Sequence, residues 1–95
     1  MTRERLSEEQ LKQGLSQLSG WEGDTTAIRK VFRFKDHVTA MGFVTRVALV
    51  AERMNHHPDL RIVYNRVEIA LATHDAGGVT ELDLELARSI ESYAG

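Results

Sequence analysis

Residues 61–74 read RIVYNRVEIALATH, and the fold turns on how this stretch is read. From Val67 onward, apolar and polar side chains alternate. Val67, Ile69, Leu71 and Thr73 share one face of an extended chain; Glu68, Ala70, Ala72 and His74 share the other. A period of two marks a strand with one buried face. The residues before it form a second strand, and the chain reverses near Asn65-Arg66. The stretch is therefore a pair of strands around a turn.

Upstream, Pro58 stops any helix and biases His57 toward extended geometry. The helix it follows runs from roughly His37 to Met54, with Asp36 as its cap. Much of its surface is apolar, including Val38, Met41, Phe43, Val47, Leu49 and Val50. That fits burial against a sheet and also against a neighbouring subunit. Further back, AIRKVFRFK (27–35) alternates again, Ile28, Phe32 and Phe34 lying opposite Arg29, Val31, Arg33 and Lys35. Lys30 is the one polar residue on the apolar side. WEGDTT (21–26) reads as a turn or bulge between extended pieces, and Trp21 as core or interface. A first helix is marked by the capping-box pair Ser7 and Gln10 and by Leu6 and Leu11 at staple positions. Leu11, Leu15 and Leu18 form its stripe, and Gly20 terminates it.

Downstream, DAGG (75–78) breaks the strand. Thr80, with Asp83 three residues on, opens a last helix stapled by Val79 and Leu84, with Leu82, Leu86 and Ile90 as its buried stripe. The order is α-β-β-α-β-β-α. It predicts an α+β domain: a four-stranded antiparallel sheet with three helices on one face, the other face open or covered by a partner.

Ninety-five residues make one domain, 1–95, with a core of modest size. Oligomerisation would add burial. The composition, 42% apolar and 27% charged, is that of a globular protein. A net charge of −2 gives no bulk attraction to nucleic acid or to a membrane surface. Without cysteine there is no disulfide, thiolate nucleophile or Cys-type zinc site. The N-terminus is too polar for a signal peptide, and no apolar run approaches a membrane span of roughly 18 residues. The cytoplasm is the expected compartment.

Three of the four histidines gather in two places: His56 and His57 in AERMNHHPDL (51–60), and His74 in ATHDAGGVTELD (72–83). Imidazole donates and accepts protons near neutrality, so such a group suits a reaction that protonates one atom and deprotonates another. Glu52, four residues before His56, is placed to lie beside it; Asp83 is placed to meet His74 when the last helix folds back. Taken singly, each residue has a plain structural use. A histidine at a helix end complements the dipole, one at a strand end decorates an edge, Asp83 fills the third helical position of a capping box, and Glu52 sits on a solvated face. His37, at a helix start, reads as surface. Three histidines and two carboxylates are also a donor set for zinc or iron. However, adjacent residues in extended chain point to opposite sides, and no H-E-x-x-H or 2-His-1-carboxylate spacing is present. No metal site is assigned.

Taken together, AERMNHHPDL and VYNRVEIALATHDAGGVTELDLELA resemble the pterin-4a-carbinolamine dehydratase family. The resemblance extends to Gly20-Trp21 and to FRFKD through MGFVTRVALVAE, nearly the whole chain. It implies expulsion of water from a 4a-hydroxytetrahydropterin to give quinonoid dihydropterin, which recycles the cofactor of aromatic amino-acid hydroxylases. The pterin is the substrate, and no metal or bound cofactor is implied. Carried over, His56, His57 and His74 would be the active-site imidazoles, and Glu52 and Asp83 their partners. Asn55, Leu60, Ala72 and Thr73 would contact substrate, the last two through backbone groups at a strand end. His56 and His74 are favoured as proton carriers, with His57 positioning substrate. Leu60 stands where the family often has an aromatic residue. The resemblance also implies a homodimer or homotetramer. Two rival expectations remain: a non-catalytic binding module, since animal relatives also serve as dimerisation partners of a transcription factor, and a dehydratase acting on another pterin such as molybdopterin.

Overall fold

In the computed structural model, residues 4–94 are described, and they follow the expected order with the sheet covered on one face. The helices are α1 (Glu8–Leu15), α2 (His37–Met54) and α3 (Glu81–Ala94), with a 3-10 turn, η1, at His74–Ala76. The strands are β1 (Glu22–Gly23), β2 (Ile28–Arg33), β3 (Asp59–Val63) and β4 (Arg66–Leu71), in sheet order β1-β2-β4-β3 with every neighbouring pair antiparallel.

Cross-strand register sorts the side chains. Ile28 faces Leu71, Phe32 faces Val67, and Ile62 faces Val67 from the other side. This is the helix-covered face, and Ile28, Phe32, Val67, Ile69 and Leu71 are all buried there. Phe43 from α2 fills the centre, its ring 5.0 Å from that of Phe32 and 4.9 Å from that of Phe34, spacings at which aromatic pairs attract beyond simple burial. The opposite face, carrying Arg29, Val31, Glu68 and Arg61, is uncovered.

Lys30, the polar residue on the apolar side, is neutralised locally. Its Nζ lies 2.5 Å from Glu91 Oε1 and 2.8 Å from the Ser19 carbonyl oxygen, and sits over the Phe32 ring. The same Glu91 oxygen accepts from Trp21 Nε1 at 2.8 Å. A cation on the core face is thus tied to α3, and the buried indole N–H is satisfied.

The starts of α1 and α2 carry the expected caps. Ser7 and Gln10 form the full capping box of α1. The Asp36 carboxylate accepts from the Thr39 amide at 2.8 Å, and this bond, with the Thr39 side chain, holds its pKa below the ordinary carboxylate value. Three boundaries differ from the sequence expectation. First, α1 ends at Leu15, not near Gly20; Gln17, Leu18 and Trp21 make tight bonds to Gly14, Leu15 and Leu18, and these turns carry Leu18 into the core. Second, the hairpin turn lies at Tyr64-Asn65, one residue early, with Val63 paired to Arg66. Tyr64 takes the positive φ, 53°, and Asn65 secures the turn by donating Nδ2–H to the Phe34 carbonyl at 2.7 Å. Third, β4 ends at Leu71, because Thr73 leaves the ladder to pair with Gly78 and His74 opens η1. His37 is exposed, but it also bonds through Nδ1 to the Tyr64 carbonyl at 2.7 Å, tying α2 to the hairpin.

Candidate functional site: three histidines at one end of the sheet

The site is made where α2 stops. Asn55 caps the helix in the left-handed region (φ 51°, ψ 45°), with its amide donating to Ala51 and Glu52. Asparagine is among the few residues that take this conformation at modest cost. The turn sends the next two residues opposite ways. His56 swings inward and is 7% exposed, its amide held by the Ala51 carbonyl at 3.0 Å. His57 points outward, with a side chain 57% exposed.

Each of these rings has a carboxylate. His56 Nε2 lies 2.5 Å from Asp83 Oδ1, and His57 Nε2 lies 2.7 Å from Glu52 Oε1. These partners correct the sequence expectation, which paired Glu52 with His56 and Asp83 with His74. The helical i, i+4 relation that would join Glu52 to His56 is broken by the left-handed residue between them. Asp83, at the third position of α3, is turned inward: its Oδ2 accepts from the Thr80 amide and the Thr73 hydroxyl, each at 2.9 Å. It is fully buried, and His56 is the imidazole that reaches it. The His57–Glu52 pair is solvated, so it orients the ring with little effect on stability, typically under about 1 kcal/mol.

His74 completes the group from the opposite wall. It begins η1, is exposed, and has no hydrogen-bond partner for its ring among the described residues. Asn55, His56 and His57 face Ala72, Thr73, His74 and Asp75 across a cleft of about 370 Å³. An adjoining recess of about 230 Å³ brings His57, His74 and Ala72 together with Asp59 and Ala70. Asp59 and Ala70 are register partners on the open face of the sheet. The cleft therefore wraps the end of the sheet: His56 and Thr73 come from the buried side, and His57, Ala72 and His74 from the open side.

Leu60 stands apart. It pairs with Ile69 on the helix side of β3 and lines neither recess. Asp59 and Asp75, which line the walls, were not singled out from sequence; the alternation that places Asp59 depends on a register that Pro58 obscures. The hydroxyls of Thr73 and Thr80 were missed as well, because helix starts so often carry threonine for capping alone. Among the described residues, no three of His, Asp or Glu converge as a metal ion would require.

Chemically, the cleft presents three imidazoles in three settings: one buried on a carboxylate, one solvated on a carboxylate, one unpaired. Such a set can give and take protons at different points of one bound molecule.

Known proteins resemble this chain over nearly its whole length. A relative from Bradyrhizobium sp. strain ORS 278, which carries the provisional name pterin-4-alpha-carbinolamine dehydratase, is 54% identical over 93 residues, covering 96% of this chain and 93% of its own. A similarly named protein from Brucella ovis is 45% identical over the full length of both. The crystal structure of a transcriptional coactivator/pterin dehydratase from Brucella melitensis superposes with a TM-score of 0.93 at 45% identity, covering 96% of this chain and 99% of that one. A pterin dehydratase-like RuBisCO assembly factor of the α-carboxysome shares the fold at 21% identity, with a TM-score of 0.66 over 79% of this chain and 87% of its own. The model of the family described as pterin 4 alpha carbinolamine dehydratase matches residues 4–93, a span that includes every residue of the cleft, and the chain belongs to that family.

Proposed function

We propose that this protein dehydrates 4a-hydroxytetrahydropterins. The observation that carries the reading is the convergence of His56, His57 and His74 on one cleft, two of them backed by carboxylates. The cleft and its recess are of a size that takes a bicyclic heterocycle. The reaction breaks the bond between carbon 4a and its hydroxyl oxygen. It needs a proton delivered to that oxygen, which leaves as water, and a proton removed from a ring nitrogen to give the quinonoid product. No oxidation state changes, so two proton carriers suffice. His56 and His74 take those roles, and His57, held by Glu52, positions the pterin. Backbone groups at Ala72 and Thr73, beyond the end of β4, are available to the amide-like edge of the ring, as a strand edge is to a peptide. Each well-placed proton carrier typically contributes about 10²–10⁴-fold. The protein acts as a homodimer or homotetramer in the cytoplasm, supplying recycled pterin to an aromatic amino-acid hydroxylase.

Stopped-flow decay of enzymatically generated 4a-hydroxytetrahydropterin tests this. Catalytic amounts of the protein accelerate the decay on this reading. An unchanged decay, with the folded protein in excess, transfers the argument to a non-catalytic binding module. Acceleration with only a different pterin side chain reassigns the substrate.

A further inference from the structure

Behind His56, the hydroxyls of Thr80 and of Thr73, a residue of the cleft wall, form a chain of hydrogen bonds that has one solution when the Asp83 carboxylate is ionised. The Thr73 hydroxyl lies 2.9 Å from Asp83 Oδ2 and 2.7 Å from the Thr80 hydroxyl. Thr80 Oγ1 also accepts from the Leu82 amide at 3.2 Å, and the Thr80 amide donates to Asp83 Oδ2. Thr73, Thr80 and Asp83 are all buried, so no water competes for these groups. An ionised carboxylate only accepts, and a hydroxyl has one proton to give. Thr73 therefore donates to Asp83 and must accept from Thr80. Thr80 donates to Thr73 and accepts from Leu82. At the far end, Asp83 Oδ1 has, among the described residues, only the His56 ring to serve it, so an ionised carboxylate requires the proton on Nε2.

Solvent access of the other ring nitrogen follows by elimination. Nδ1 of His56 has no hydrogen-bond partner among the described residues. No buried side-chain nitrogen or oxygen among them lacks a partner. Nδ1 is therefore solvent-reached, and the cleft is the open space that His56 lines.

We infer that Thr80 and the Thr73 hydroxyl are positioning residues: they lock the Asp83 carboxylate so that His56 holds its proton on Nε2 and offers the Nδ1 lone pair to the cleft. His56 is then the group that takes a proton from substrate, which leaves delivery of the proton to the departing hydroxyl to His74. This use of the lone pair rests on the dehydratase reading; the hydrogen-bond chain does not.

Nuclear magnetic resonance of ¹⁵N-histidine-labelled protein tests the chain without substrate, at pH 9, above the ordinary imidazole range. The wild type should show His56 protonated on Nε2, with that proton shifted downfield and slow to exchange. Thr73→Val and Thr80→Val should move the resonance upfield and speed its exchange about tenfold or more, while Thr80→Ser should leave it unchanged. Thr80 also begins α3, and Thr73→Val keeps that start intact, so the pair separates the chain from a simple loss of helix capping. A wild-type proton on Nδ1, or a resonance unmoved in both valine variants, overturns the inference. In the dehydration assay the valine variants should lose about 10–100-fold in kcat with KM little changed, in line with other residues that orient a working histidine. Altered resonances with wild-type kcat would overturn the role of Nδ1 as base while leaving the dehydratase reading in place. Failure of that reading itself would appear as an inactive wild type with the resonances still behaving as described.

Discussion

Burial separates residues that sequence reasoning had treated alike. His56 lies at an element end, where substitution is usually tolerated, yet it is buried and is the partner of a fully buried carboxylate. His56→Ala is expected to lower stability by about 1–3 kcal/mol, because Asp83 loses a donor it cannot replace from water. His74→Ala should leave stability within about 0.5 kcal/mol. On the proposed dehydratase reading both should cost about 10²–10⁴-fold in dehydration rate, since each would remove a positioned proton carrier. Thermal unfolding and stopped-flow measurements on the same samples distinguish the two: equal destabilisation would contradict the burial difference, and equal wild-type rates would remove the histidines from the chemistry. Asp83→Asn is the sharper probe. With its oxygen kept on the Thr80 amide, the amide turns its nitrogen to His56 and so drives the ring proton to Nδ1; flipped, it turns its nitrogen to the Thr80 amide, donor against donor. Both rate and stability should fall. A variant of normal rate and lower melting temperature would make Asp83 a cap and nothing more.

Among the elements, those specified by local pattern were legible and those set by long-range contact were not. The alternation Val67-Ile69-Leu71 fixes which face of β4 is buried, and Ser7, Gln10 and Asp36 announce two helix starts. The end of α1 was not legible, because Leu15 and Leu18 keep helical spacing while the chain already turns to bring Trp21 under Glu91. Nor was the exchange of histidine partners, which depends on one left-handed residue, Asn55, and on where α3 docks. The three-histidine grouping itself was legible, since Pro58 and the broken strand at Asp75–Gly78 bring two short motifs to the same end of the sheet. Two element-scale outcomes follow from the same contacts. The Asp36 carboxyl has a depressed pKa in the folded state, so its contribution is present above the ordinary carboxylate value and is lost as pH falls through the folded value. Wild-type melting temperature should therefore drop on acidification below about pH 4, and Asp36→Asn, which keeps a cap without the charge, should show a flatter profile there. Parallel profiles would mean that other carboxylates set the acid limit. Gly78 bridges Thr73, and a Cβ added there would stand 2.3 Å from the Thr25 carbonyl oxygen. Gly78→Ala should destabilise by about 1–3 kcal/mol, as overpacking against backbone does, and should disturb the Thr73 wall of the cleft. An unaltered melting temperature and rate would show that the loop gives way freely.

At the scale of the whole molecule, the core is complete on one side of α2 and unfinished on the other. Ala40, Phe43, Val47 and Val50 face inward and are buried, whereas Val38 is 80% and Leu49 68% exposed. These two are eleven residues apart, three turns of helix, and so lie on the same outer side, with Met41 beside them. A lone exposed hydrophobe is ordinary, but an apolar stripe along one helix in so small a protein is the mark of a covered surface. The sheet is unfinished as well, since β3 is an edge strand with Leu60 and Val63 exposed, and such edges invite pairing. Self-association satisfies both features. Sedimentation velocity at micromolar concentration should therefore give a species larger than a monomer. Val38→Glu with Leu49→Glu should reduce its size if the helix stripe is the contact, because charges on a formerly covered surface are costly to desolvate. The circular dichroism spectrum should remain that of the wild type, since neither side chain belongs to the buried core. If the double variant keeps its size, the contact lies elsewhere, and the β3 edge is the surface to alter next. If the wild type is already a monomer, the stripe needs a different partner, and the cleft must work without help from a second copy.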